Sequence, residues 1–238
     1  MNIWSKNRIK VTALAASVLI CVPAMAVAEN ETTTTKVIRM QDGSAVDGAT
    51  ATLIRMDHGL SATFDTIEMT PGDAVTMWWV IFDNPANCSD GACGENDIFL
   101  IDNAGEFITN ADGSPPMNMA GIEAAVITAG RADGHVIDAD GAGKFHSQLA
   151  VGDNSRSLFG PGLQDTTKAE IHLVLRSHGQ AKAGSTDEMI YSYNGGCEGD
   201  FPNPPCVEFQ AAVFQVGKSS AALDPFERET VRGGIGGV

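Results

Sequence analysis

Residues 74–82 read AVTMWWVIF, and both parities of this run are apolar. Side chains alternate across a strand. Val75, Met77, Trp79 and Ile81 therefore share one face, and Thr76, Trp78, Val80 and Phe82 the other. A strand with two apolar faces belongs in the middle of a packed sheet. Trp78 and Trp79 point to opposite sides, so they cannot line one carbohydrate-stacking groove. They read as core on one face and core or interface on the other.

The remaining runs supply the sheet. ATATLIRM and LSATFDTIEM flank Asp57-His58-Gly59, the pattern of a hairpin. GHVID and KFHSQLAV flank ADGAG, which reads as a second hairpin. AEIHLVLRSHG (169–179) and VEFQAAVFQVG are further strands, and GIEAAVITAG fits a strand or a short helix equally. Long helical periods are nearly absent. The expected fold is all-β, an antiparallel β-sandwich, with a jelly-roll or a partly closed barrel as the alternative. The expected organisation is a signal peptide over 1–28, a polar N-terminal segment over 29–48 that is frayed at ENETTTTK, a β-sandwich domain over 49–217 and a loose tail over 218–238.

The N-terminal reading comes from the order of its parts. Lys6, Arg8 and Lys10 precede the apolar run VTALAASVLICVPAMAVA, which ends in Ala26-Val27-Ala28. That is a secretory signal with cleavage expected after Ala28, and it places the protein in the periplasm or outside the cell. No membrane association is expected after cleavage. Three basic residues and no acid leave with the signal, so the net charge moves from −15 to −18. Such a surface repels nucleic acid. Cys21 also leaves, and four cysteines remain. In an exported chain an even set reads as disulfides, and short-loop pairing favours Cys88–Cys93 and Cys197–Cys206.

Candidate chemistry concentrates on AEIHLVLRSHG. On a strand Glu170, His172, Val174, Arg176 and His178 share one face, and Ile171, Leu173 and Leu175 the other. His172 and His178 lie about 20 Å apart at about 3.3 Å per residue, so one metal cannot take both from a straight strand. Glu170 can orient His172, as a carboxylate orients an imidazole in a base or metal site. The plainer expectation is a polar face, solvated or paired with charges on a neighbouring strand. His135 and His146 join His172 as weaker metal candidates, on condition that their strands are adjacent; His58 sits in a turn. Asp90, Glu95 and Asp97 in SDGACGEND could hold calcium, whereas Asp138 and Asp140 in DADGAG read as a turn. Met117 and Met119 read as packing. No GxSxG, HExxH or phosphate-binding glycine loop occurs.

Three stretches, PGDAVTMWWVIFDNPANC, DGAGKFHSQLAVGD and GLQDTTKAEIHLVLRSHG, together with EFQAAVF, resemble a group of secreted bacterial β-rich proteins of unassigned function. The resemblance spans roughly 50–216, and implies an exported β-rich fold and no reaction. The expected function is a non-catalytic binding or structural module. The alternative is an extracytoplasmic metal-binding protein or metal-dependent enzyme centred on His172. A third reading, a cell-surface assembly subunit, predicts an exposed edge strand or apolar patch.

Overall fold

A computed structural model describes residues 30–102, 104, 106–111, 115–197 and 206–217. The expected signal peptide and C-terminal tail lie outside these residues. Among the described residues, nine strands run in chain order: β1 (Glu31–Arg39), β2 (Ala45–Met56), β3 (Gly59–Thr66), β4 (Asp73–Phe82), β5 (Ile127–Val136), β6 (Gly143–Ala150), β7 (Ser157–Phe159), β8 (Glu170–Gln180) and β9 (Cys206–Phe214). Three short helices accompany them: α1 (Glu95–Ile98), α2 (Met119–Ala125) and α3 (Thr186–Tyr191). The strands form one antiparallel sheet, ordered β6-β3-β2-β1-β9-β8-β4-β5-β7, curled into a half-barrel.

β4 lies between β8 and β5, and residues of both its parities are buried, as its two apolar faces require. β2 and β3 form the expected hairpin, with Met56 opposite Gly59. Two stretches depart from expectation. ENETTTTK is not frayed: most of it forms β1, between β2 and β9. Its threonines are β-branched and suit a half-exposed pleat, and Thr34 Oγ1 meets Thr52 Oγ1 across the ladder at 2.9 Å. The turn at DADGAG forms, with Asp138 N donating to Ala142 O, but its flanking strands do not build a hairpin ladder. β6 pairs with β3, and β5 with β4 and β7.

Side chains bridge β5 and β6 instead. Asp133 Oδ2 accepts from His146 N at 2.9 Å, and Ser147 Oγ donates to Ala132 O at 3.0 Å. Asp133 sits at a bulge opposite Met77 and Trp78, where an extra residue interrupts the regular pairing.

The concave face holds the main core, including Leu53, Leu60, Phe64, Met77, Trp79, Phe145, Leu173 and Phe214. Each such side chain contributes about 1.5–3 kcal/mol by leaving water. The convex face of β4, β5 and β8 is covered as well. Phe82 and Ile127 pack beneath Cys88, Ile98, Ile122 and Ala125 from the segment between β4 and β5. GIEAAVITAG, ambiguous by pattern, is a helix end followed by a strand. Asn118 caps α2 by accepting from Gly121 N, and Val126 at φ 52° turns the chain into β5. Further along, Trp78, Val174 and Ala211 form a cluster with Tyr193, which follows α3. α3 seats closely because β5 offers Gly134 beneath it; a Cβ there would stand 2.8 Å from Ile190 Cβ.

Candidate functional site

β8 carries the expected alternation. Ile171, Leu173 and Leu175 enter the concave core. Glu170, Arg176 and His178 on the other parity are buried, and His172 is mostly covered. This polar face therefore meets protein, and its groups form three partnerships along the strand.

At the start of β8, His172 Nε2 bonds Glu170 Oε1 at 2.7 Å, and its ring lies 4.9 Å from that of Phe82. Arg55 supplies a compensating positive charge near Glu170. Its Nη1 donates to Thr166 O and Ala169 O at 2.5 and 2.9 Å. Burial lowers the Arg55 pKa, while the Glu31 and Glu170 charges oppose that shift.

In mid-strand, Arg176 pairs with Glu208, its neighbour opposite on β9. Its Nε donates to Tyr193 O at 3.0 Å, and the guanidinium lies 4.1 Å from the centre of the Tyr193 ring. Burial, then the Glu208 charge, raises the Tyr193 pKa well above the ordinary phenol value. Trp78 meets Tyr193 edge-on at 5.4 Å. Among the described residues the buried Trp78 Nε1 meets no hydrogen-bond partner.

At the far end, His178 Nδ1 lies 2.7 Å from Gly195 O, and Nε2 lies 2.8 Å from Thr76 Oγ1. A carbonyl only accepts, so Nδ1 carries the proton and Nε2 accepts from the threonine. Burial lowers the His178 pKa to about 4, with the Gly195 hydrogen bond opposing and the Arg176 charge reinforcing. The ring is neutral at ordinary pH. The Cys197 and Cys206 sulfurs each lie 3.9 Å from Nδ1.

The other candidates do not converge on His172. β8 is flanked by β9 and β4, which carry no histidine. His135 lies opposite Val75 on β4, whereas His172 lies opposite Val80, near the other end of that strand. Exposed His146 on β6 faces Asp133 at 3.9 Å. In the expected calcium loop, Asp97 is buried and accepts from Ser89 N, Ser89 Oγ and Gly94 N at 2.7, 2.7 and 2.9 Å. It ties the loop to α1. Glu95 opens α1, and the Asp90 side chain lies outside the described residues.

Both disulfides form in the expected pairing, with Cα separations of 4.9 Å for Cys88–Cys93 and 5.5 Å for Cys197–Cys206. They fit an extracytoplasmic protein. No helix among the described residues is long and apolar enough to cross a membrane.

Among the described residues, one group of His, Cys, Asp or Glu has three ligand atoms mutually close: His178, Cys197 and Cys206, all within 4.8 Å. Sequence reasoning separated these three, placing the cysteines in a staple and the histidine on a polar face. His178 faces Cys206 directly across the β8–β9 ladder. The signal in the sequence is that both sit at strand ends, but the register that joins them is a long-range fact.

A small cleft of about 80 Å³ lies between β5 and β6, lined by Trp79, Thr128, Arg131, Gln148, Arg156 and Ser157. An open depression runs along Lys182, Ser185, Glu188, Tyr193 and Cys197. Apolar side chains are exposed on a short ribbon between α1 and α2. Phe107 pairs with Ile101, Ile108 N donates to Leu100 O, and all four side chains are more than a third exposed. Comparison with protein-family models, curated proteins and solved structures finds no match for this chain.

Proposed function

We propose that the protein is a secreted or periplasmic, non-catalytic binding module on a partly closed barrel, the alternative to the β-sandwich at the sequence level. One contrast carries this reading. The ionisable side chains of β8 spend their hydrogen bonds on groups within the protein, Glu170 and His172 on each other, Arg176 on Glu208 and Tyr193 O, and His178 on Gly195 O and Thr76, whereas exposed apolar side chains gather on the Leu100–Ile108 ribbon. Exposed apolar groups collected in one place favour contact with a partner. The cleft between β5 and β6, at about 80 Å³, is well below the roughly 300–1,000 Å³ of typical small-molecule sites, and the depression beside α3, about 600 Å³ and so within that range, lies open to solvent. The large negative charge disfavours nucleic acid as that partner.

Strand-by-strand assembly has less support. One sheet edge, β7, is three residues long, and the other, β6, lies beside β5. The reading centred on a His172 metal site loses support because no second histidine approaches that residue on the neighbouring strands. Metal analysis of the purified, oxidised protein tests the choice. The expected result is less than one equivalent of any transition metal, unchanged in His172→Ala. A full equivalent that disappears in that variant would replace the binding module with the metal protein.

A further inference from the structure

We propose that His178, Cys197 and Cys206 form a thiophilic cation site, of the zinc class, that opens when the Cys197–Cys206 disulfide is reduced. Distance is the first argument. Zinc bonds of about 2.3 Å to sulfur and about 2.0 Å to nitrogen put tetrahedral ligands roughly 3.5–3.8 Å apart. His178 Nδ1 already stands 3.9 Å from each sulfur. Reduction breaks the S–S bond, and the sulfurs must then separate to the same spacing.

The second argument is the environment of the ring. To ligate, Nδ1 must give up its proton and its hydrogen bond to Gly195 O, which the cation replaces, while the imidazole stays neutral, so the ring proton moves to Nε2. Thr76 can accept that change. Its hydroxyl now donates to Nε2, and it can instead accept from Nε2 and donate to Ile190 O, which lies 3.4 Å away. The threonine would then orient the metal-bound ring as an outer partner does in known sites. Charge is the third argument. Two thiolates and a neutral imidazole balance a dication, so a largely buried site gains no net charge. The nearby Arg176 charge is already paired with Glu208.

The chemistry balances with a dithiol as reductant. It delivers two electrons and two protons to the Cys197–Cys206 bond and closes to its own disulfide. Cation binding then releases the two thiol protons to solvent. Cys206 is buried, but Cys197 is partly exposed and borders the open depression beside α3, which gives both reductant and cation a way in. Cys88–Cys93 has no corresponding histidine among the described residues; Cys93 Sγ approaches Pro85 O at 3.8 Å. The site lies at the opposite end of β8 from His172, and it does not depend on the binding-module reading.

Cobalt(II) as a spectroscopic probe and zinc(II) titration of the full exported chain, before and after reduction with a phosphine, test the proposal. The expected result is no binding when oxidised and one equivalent when reduced, with thiolate-to-cobalt charge-transfer bands. Cys206→Ser should abolish the equivalent, and His178→Gln should weaken zinc at least about tenfold. Should His178→Gln fail to fold, Thr76→Val is the second variant, and it should keep the stoichiometry while weakening zinc by about 10–100-fold. Equal zinc binding in wild type and either ring-site variant would overturn the proposal. So would reduced protein that binds no more cation than oxidised, or that unfolds and binds without regard to His178.

Discussion

The two disulfide loops are chemically alike and differently placed. Cys88–Cys93 closes a short loop whose polar work is done by Asp97, through bonds to Ser89 and Gly94. Cys197–Cys206 joins the segment after α3 to the first residue of β9, against a buried, neutral histidine. One is a staple on a loop that has its own hydrogen-bonded frame. The other closes the end of the convex-face covering with both sulfurs 3.9 Å from buried His178. The difference shows that a disulfide's role depends on what its sulfurs are packed against, which loop length alone does not reveal.

Removing each bridge in turn should produce the largest difference between the two loops. Loop closure alone gives about 2–3 kcal/mol for either, because the two loops differ little in length. We expect Cys197→Ala with Cys206→Ala to lose more than Cys88→Ala with Cys93→Ala in urea denaturation, because water then reaches His178 and Arg176. Equal losses would mean that the second bridge seals nothing. Next in size is Arg176→Ala. It removes the Glu208 pair and the Tyr193 contact, and should cost about 2–4 kcal/mol. That falls below the full penalty for a wholly buried pair, because Glu208 keeps some exposure.

His178 predicts a pH effect of definite sign. Its folded pKa lies below its ordinary value of 6.5, at about 4, so the unfolded chain binds the proton more readily between those limits. Its contribution to stability is complete above about pH 6.5 and is lost as pH falls towards about 4. The wild type minus His178→Gln difference in unfolding free energy should shrink over that window, while the Cys88–Cys93 double variant keeps the wild-type profile. The smallest expected effect is His172→Asn, about 1 kcal/mol, because Arg55 still balances Glu170. A loss of several kcal/mol there would shift the weight of the polar face to the other end of β8.

Much of the fold was legible because local pattern decides it. The double apolar parity of 74–82 marks a central strand, the Asp57-His58-Gly59 turn marks the β2–β3 hairpin, and short-loop cysteines mark both bridges. β1 was missed because a threonine-rich polar segment resembles a frayed end unless its neighbours in the sheet are known. The ADGAG turn follows from its own residues, but its strands find other partners, a choice made by the curvature of the whole sheet. The polar parity of β8 was legible, and the Arg176–Glu208 pairing follows the expected cross-strand pattern. The covering that buries it was not, since Tyr193, Gly195 and Cys197 after α3 meet β8 through tertiary contacts. The His178–cysteine cluster stayed hidden for the same reason: it depends on the β8–β9 register.

The polar face of β8 is covered, and its groups are paired within the protein. Proton NMR titration of the His178 ring tests it most directly. The expected midpoint is near pH 4, with the Nδ1 proton retained on the neutral ring. A midpoint near the ordinary 6.5 would show a face open to water and contradict it.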